Sequence, residues 1–103
     1  MVASVAADTI TVIHDVPRSS FRAFSAEGIE LGHVDYRLVH GRERKAIDFF
    51  HTFTRPEAQG RGVAGKMVGT GLEWAIEQRL EIIPSCSYVA AYMKKNPKYQ
   101  SSL

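Results

Sequence analysis

The chain has 103 residues, a formal net charge of +2 and one cysteine. That length suits one domain, 1–103, with a small core, and so weak a positive balance speaks against bulk nucleic-acid binding. The lone Cys86 excludes an internal disulfide and suits a reducing, cytoplasmic setting, and no stretch reads as a signal peptide or a membrane span.

Residues 1–8 read as a loose tail. Thr9–His14 alternates branched apolar and polar residues, which predicts a first strand, and Asp15–Ser20 is turn chemistry. Phe21–Ser25 is a second strand, with Phe21 and Phe24 as core candidates. Glu27-Gly28 makes a tight hairpin. Ile29–Val39 is a third strand with Gly32 as a bulge candidate, and His40–Arg44 is a charged, solvated turn. Lys45–Thr54 is a fourth strand. Its Ile47, Phe49, Phe50 and Phe53 are too apolar for an edge and place it centrally.

Gly62–Leu80 carries Val63, Met67, Val68, Leu72, Ala75, Ile76 and Leu80 on one stripe at helical spacing. Gly65, Gly69 and Gly71 each cost about 1 kcal/mol inside a helix. They imply close packing against a sheet, or close approach of a ligand near Gly65. Glu81–Pro84 is a short fifth strand. Ser85–Lys95 is a second helix capped by Ser85 or Ser87, ended by Asn96-Pro97 and followed by a tail. The order β-β-β-β-α-β-α predicts an α+β fold: a mixed, mostly antiparallel five-stranded sheet with two helices. A right-handed crossover makes the fifth strand parallel to the fourth. Two such strands can splay and admit an extended ligand.

The stretch from Arg55 to Ala64 leaves the fourth strand and opens the long helix. Gly60 and Gly62 let backbone approach a ligand. The unpaired N–H groups of a helix N-terminus, with the dipole behind them, hold phosphate well; Arg55, Arg61 and Lys66 add charge there. The spacing fits neither a P-loop nor a dinucleotide fingerprint. On residues alone the same stretch also reads as a plain strand–turn–helix connection. The four histidines, His14, His33, His40 and His51, have no metal-ligand spacing. Cys86 follows a strand and opens a helix, where the dipole favours thiolate.

Gln59-x-x-Gly62-x-Ala64 resembles the Gln/Arg-x-x-Gly-x-Gly/Ala motif of the GCN5-related N-acetyltransferases. Phe50–Thr54, the glycine loop, Ile83–Val89 with its Cys-x-Tyr, and Lys95-Asn96-Pro97 are together similar to a short NATD1-like or YidJ-like subgroup of that superfamily. The likeness runs from about Thr9 to Tyr99. It implies a minimal acetyltransferase fold that binds acetyl-CoA and transfers an acetyl group to an amine. Within that resemblance, Phe53 and Thr54 would pair with the pantetheine arm. Gln59, Gly60, Arg61, Gly62, Val63 and Ala64 would surround the pyrophosphate, and Lys95 and Asn96 would reach the cofactor.

Cys86 would carry the acetyl group or protonate departing CoA, Tyr88 would be an acid, and His51 a base. A structural cysteine, a hydrogen-bonded core histidine and packing tyrosines are the plainer alternatives. Family members usually carry one or two helices between the first two strands, where this chain has only Asp15–Ser20. An open acceptor side suits a protein tail or a polyamine. It also leaves room for a second reading, a CoA-binding module without turnover that acts as a regulator or partner. Oligomeric state is not legible.

Overall fold

The computed structural model describes residues 9–103; the tail expected at 1–8 lies outside them. The strands are β1 (Ile10–Asp15), β2 (Ser20–Ser25), β3 (Glu30–His40), β4 (Lys45–Thr54) and β5 (Glu81–Ile83). The helices are α1 (Val63–Glu77) and α2 (Ser87–Lys95), with short 3-10 turns at Val16–Arg18, Pro56–Ala58 and Pro97–Ser102. The sheet order is β1-β2-β3-β4-β5. The first four strands pair antiparallel and β5 lies parallel to β4. The α+β architecture and the element order expected from the sequence are those observed.

Both helices lie on one face of the sheet. Phe21, Val34, Ile47 and Phe49 point into that layer and meet Met67, Val68 and Leu72 of α1 in the core, with Val89 and Met93 of α2. Full burial of one such side chain stabilises by about 1.5–3 kcal/mol. Gly71 is small because the sheet needs it so: a Cβ there would sit 3.1 Å from Phe49 and 3.3 Å from Phe21. Gly69 instead receives Tyr92, whose hydroxyl would lie 2.8 Å from an added Cβ. The glycines thus seat the sheet and α2.

Several boundaries differ from expectation for identifiable reasons. The helix α1 ends at Glu77 rather than Leu80, because Arg79 turns left-handed at φ 58°. The Leu80 N–H then bonds the Ala75 carbonyl at 3.0 Å, and Leu80 folds back into the core. This is a Schellman-type stop that satisfies the last carbonyls. Ile76, placed on the apolar stripe, is 38% exposed. The N-cap of α2 is Cys86, not Ser85 or Ser87. The expected tail after Pro97 is a 3-10 turn that buries Tyr99. The charged hairpin at residues 40–44 is held from below, since the Glu81 carboxylate accepts the N–H groups of Arg42 and Glu43 at 2.8 and 2.9 Å.

Two bulges set the phase of the central strands. Leu31, beside Gly32, is the extra residue of β3 against β2. In β4 the extra residue is Phe50: Asp35 pairs with His51 but Tyr36 pairs with Phe49. Alternation along β4 therefore breaks at Phe50. Phe49 is buried beneath α1, while Phe50 and Phe53 are 40% and 43% exposed on the opposite face. The fourth strand lies between β3 and the short edge strand β5, inside the sheet as expected though not at its centre, and only part of its apolar run serves the core. No helix among the described residues is long and apolar enough to cross a membrane.

Candidate active site

The strand β4 has ten residues, yet only Ala46, Ile47 and Asp48 pair with β5. The Cys86 N–H bonds the Phe49 carbonyl at 2.9 Å and ends the contact. From Phe50 to Thr54, β4 has β3 on one side and no strand on the other. The splay expected from the parallel pair is thus present, and it leaves a length of strand edge open.

This open edge faces the start of α1. Gly60 and Gly62 adopt φ 81° and 79°, a left-handed backbone that other residues enter at a cost. Open space lies where their side chains would be. Gly62 is the N-cap of α1 and has no side chain to cap it. The N–H groups of Val63, Ala64 and Gly65 consequently have no hydrogen-bond partner among the described residues. A cleft of about 440 Å³ joins the two features, lined by Thr52, Thr54, Ala58, Gln59, Gly60, Gly62, Val63, Ala64, Gly65 and Tyr88. Gln59 ties the loop to the strand through its side-chain amide, which donates to the Thr54 carbonyl at 3.3 Å.

The structure brings Thr54, Gln59, Gly60, Gly62, Val63, Ala64 and Tyr88 to this one cleft. Arg61 lines a separate hollow with Arg55 and Glu57. Phe53 points to the other sheet face, where its ring lies 5.6 Å from that of His33. Lys95 and Asn96 stand at the far end of α2 and do not line the cleft; the Asn96 amide donates to the Tyr92 carbonyl at 2.8 Å. The extra charge expected at the loop is also partly diverted. Arg55 pairs with Glu57 at 2.9 Å, and Lys66 reaches across α1 to the Ile10 carbonyl at 3.2 Å.

Cys86 does not itself line the cleft but borders it through Thr52. Its Sγ is 3.3 Å from the Thr52 hydroxyl, which lines it. Burial pushes the Cys86 thiol up, but the Thr52 hydroxyl and the N–H groups of Val89, Tyr88 and Thr52 together outweigh it and bring the thiol below its ordinary value. The helix N–H groups act on the sulfur by proximity, without a formal capping bond. Tyr88 moves the opposite way: burial, then the neighbouring Tyr92, pushes its phenol up. It therefore stays protonated at neutral pH and is able to donate. Thr52 has the same orientation as Thr54 and is a site residue that sequence reasoning missed.

His51 is on the other side of the sheet. Successive strand residues point to opposite faces, and its ring lies 5.8 Å from that of His33. His33 in turn contacts Asp35, Nδ1 to Oδ1, at 3.0 Å. The expected trio of Cys86, Tyr88 and His51 is thus divided between two faces. Among the described residues no group of three His, Cys, Asp or Glu side chains is arranged to hold a metal ion. A larger, shallow groove of about 760 Å³ lies between α1 and the strands β1 and β2, where Val12, His14 and Phe21 face Glu73, Trp74, Tyr92 and Tyr99; neither Cys86 nor Thr52 lines it.

An uncapped helix start, a splayed parallel strand pair and a cleft joining them have the geometry to take an extended, anionic ligand along β4. Residues 20–102 match the family described as GCN5-related N-acetyl-transferase, and the chain belongs to that family. Protein NATD1 of Xenopus tropicalis is 30% identical over 54 residues, which cover 52% of this chain and 50% of that protein. The NATD1 proteins of Mus musculus and Homo sapiens have the same identity over the same length, 49% and 48% of their own chains. The alignment spans about half the length of these curated relatives.

Proposed function

We propose that this chain is an acetyl-CoA-dependent N-acetyltransferase acting on an amine. The observation that carries the reading is one cleft lined by both the start of α1 and the open edge of β4, with Tyr88 in its wall and Cys86 behind its Thr52. The donor set fits the group: unpaired main-chain N–H groups suit a pyrophosphate, and an unpaired strand edge suits the amides of a pantetheine arm. Acetyl-CoA supplies an activated acetyl thioester. Gly60, Gly62, Val63 and Ala64 hold the diphosphate through backbone, and Gln59 keeps the loop against β4. Thr54 and Thr52 guide the arm toward Cys86.

Two routes use these side chains. In the direct route the amine attacks the thioester carbon, and the Tyr88 phenol or the Cys86 thiol gives a proton to the departing sulfur. In the covalent route the Cys86 thiolate accepts the acetyl group first and then yields it to the amine. The lowered thiol supports the second route; the raised Tyr88 phenol supports the first. Isothermal titration with acetyl-CoA tests the binding, and mass spectrometry after incubation tests the routes. Acetyl label on wild type that is lost in Cys86→Ala identifies the covalent route. Full turnover in Cys86→Ala excludes it. Absence of heat at millimolar acetyl-CoA would refute the function itself.

A second reading is a CoA-binding module without turnover. It is favoured by the single 3-10 turn between β1 and β2, which leaves the sheet face opposite the helices uncovered by any described element. Binding of acetyl-CoA with no CoA release against peptides, polyamines and aminoglycosides separates it from the enzyme. Cytoplasmic location is part of the proposal and follows only from the lone, reduced cysteine.

A further inference from the structure

The helix α1 stops before the strands beneath it do. Its left-handed turn at Arg79 leaves the far end of β3 and the start of β4 bare on the helix face, so Leu38, which pairs with the buried Ile47, is 48% exposed. A hollow of about 560 Å³ lies there, at the opposite end of β4 from Thr54 and the glycine loop, and its volume suits a small ligand. Leu38, Trp74 and Leu80 give it an apolar wall, Arg44, Lys45 and Arg79 give it three cations, and no acid lines it. Among the described residues neither Lys45 nor Arg79 has an ion-pair partner. The Glu81 carboxylate, which feels Arg44, is already engaged by the N–H groups of Arg42 and Glu43. The carbonyls of Trp74, Ala75 and Ile76, which would repel an anion, accept the N–H groups of Gln78, Leu80 and Arg79. Glycine is the usual residue at such a helix stop. Arg79 holds the position at φ 58° under strain, with a cation that the fold itself does not use.

We infer that this hollow binds a nucleoside diphosphate, its phosphates on Arg44, Lys45 and Arg79 and its ring system against Leu38 and Trp74. The inference is independent of the transferase reading. Guanidinium groups meet phosphate oxygens through paired, parallel N–H bonds. Arg44 comes from the β3–β4 hairpin and Arg79 from the end of α1. The Arg44 Nε donates to the Arg79 carbonyl at 2.7 Å, so the two elements are tied together before a ligand arrives. Lys45 stands two residues before Ile47 on β4 and shares its face. A diphosphate carries charge enough to meet all three cations, which a lone carboxylate does not. The apolar wall selects a nucleotide over a bare inorganic anion, because only a ring system covers Leu38 and Trp74 from water. An acidic peptide would need its cations in a row, whereas these converge on one hollow.

The test is a titration with adenosine diphosphate followed by NMR. Trp74 is the only tryptophan, so its indole N–H is a unique reporter, and the methyl groups of Leu38 and Leu80 mark the hollow. These signals should move and saturate. Arg79→Gly should weaken binding about tenfold or more. It should melt no lower than wild type, because glycine relieves the left-handed backbone. Lost binding without lost stability separates recognition from misfolding. Lys45→Gln, at an exposed side chain, should weaken binding several-fold with the fold intact. Adenosine should leave the signals unmoved, and inorganic pyrophosphate should bind more weakly than the nucleotide. Wild-type affinity in either variant overturns the inference, as does adenosine binding as tightly as the diphosphate. Pyrophosphate binding as tightly as the nucleotide overturns the ring assignment. Shifts confined to Gly60, Gly62 and Gly65 would put the nucleotide in the cleft beside β4, and shifts confined to Val12 and Tyr92 would put it in the groove beside β1. Either result overturns the assignment to the hollow.

Discussion

Replacing Thr52 with Val isolates the interaction that prepares Cys86. Valine keeps the shape of threonine and removes the one side-chain hydroxyl 3.3 Å from the sulfur. A hydrogen bond to a charged group contributes about 1.5–3 kcal/mol. The contact is long, so the lower end applies, and about 1.4 kcal/mol is a tenfold change in the ratio of thiolate to thiol. Burial of the sulfur is unchanged and continues to oppose ionisation. The midpoint of Cys86 ionisation should therefore rise. On the low-pH limb of its alkylation by iodoacetamide, a neutral reagent, the rate should fall about tenfold. As the only cysteine, Cys86 is the only thiol reporting. Thr52→Ser retains the hydroxyl and should stay within about threefold of wild type. Superimposable profiles for wild type and Thr52→Val would refute the argument. They would leave the main-chain N–H groups of Val89, Tyr88 and Thr52 as the cause of the lowered thiol.

Other outcomes follow from single positions. Gly62→Ala forces a side chain into φ 79° and should destabilise by about 1–2 kcal/mol; a melt measures this, and acetyl-CoA calorimetry should show weakened binding. Gly71→Val drives methyl groups into Phe49 and Phe21. It should cost about 1–3 kcal/mol, a fall of roughly 4–8 °C in Tm per kcal/mol at this size, and a Tm within a degree of wild type would contradict the packing. Glu81 is held below its ordinary 4.5 by the N–H groups of Arg42 and Glu43. A depressed carboxyl stabilises the fold above its unfolded value and loses that contribution as pH falls through the folded one. Glu81→Gln should thus flatten the stability–pH curve below about pH 4.5, read from urea melts, and an unchanged acid limb would contradict it.

The order of strands and helices, the place of β4 away from the sheet edge and the glycine turn before α1 were all legible in the chain. Each is a local property. Alternation, helical spacing and the need for glycine at a left-handed backbone depend on near neighbours, so sequence alone determines them. Residues at and beside the cleft were legible for the same reason. Gly60 and Gly62 mark the loop, and Cys86 marks the junction of β5 with α2.

The side each strand residue faces was decided only in three dimensions. Unbroken alternation from the buried Phe49 would carry His51 and Phe53 onto the cleft face and turn Thr52 and Thr54 away. The extra residue at Phe50 reverses that phase. His51 and Phe53 consequently leave the cleft, and Thr52 enters it and meets Cys86. A bulge answers to pairing between strands, and no spacing within β4 announces it. The same holds for Lys66, drawn to the Ile10 carbonyl, and for Arg44, drawn to that of Arg79. Local pattern places a residue on an element; only packing between elements decides what its side chain meets.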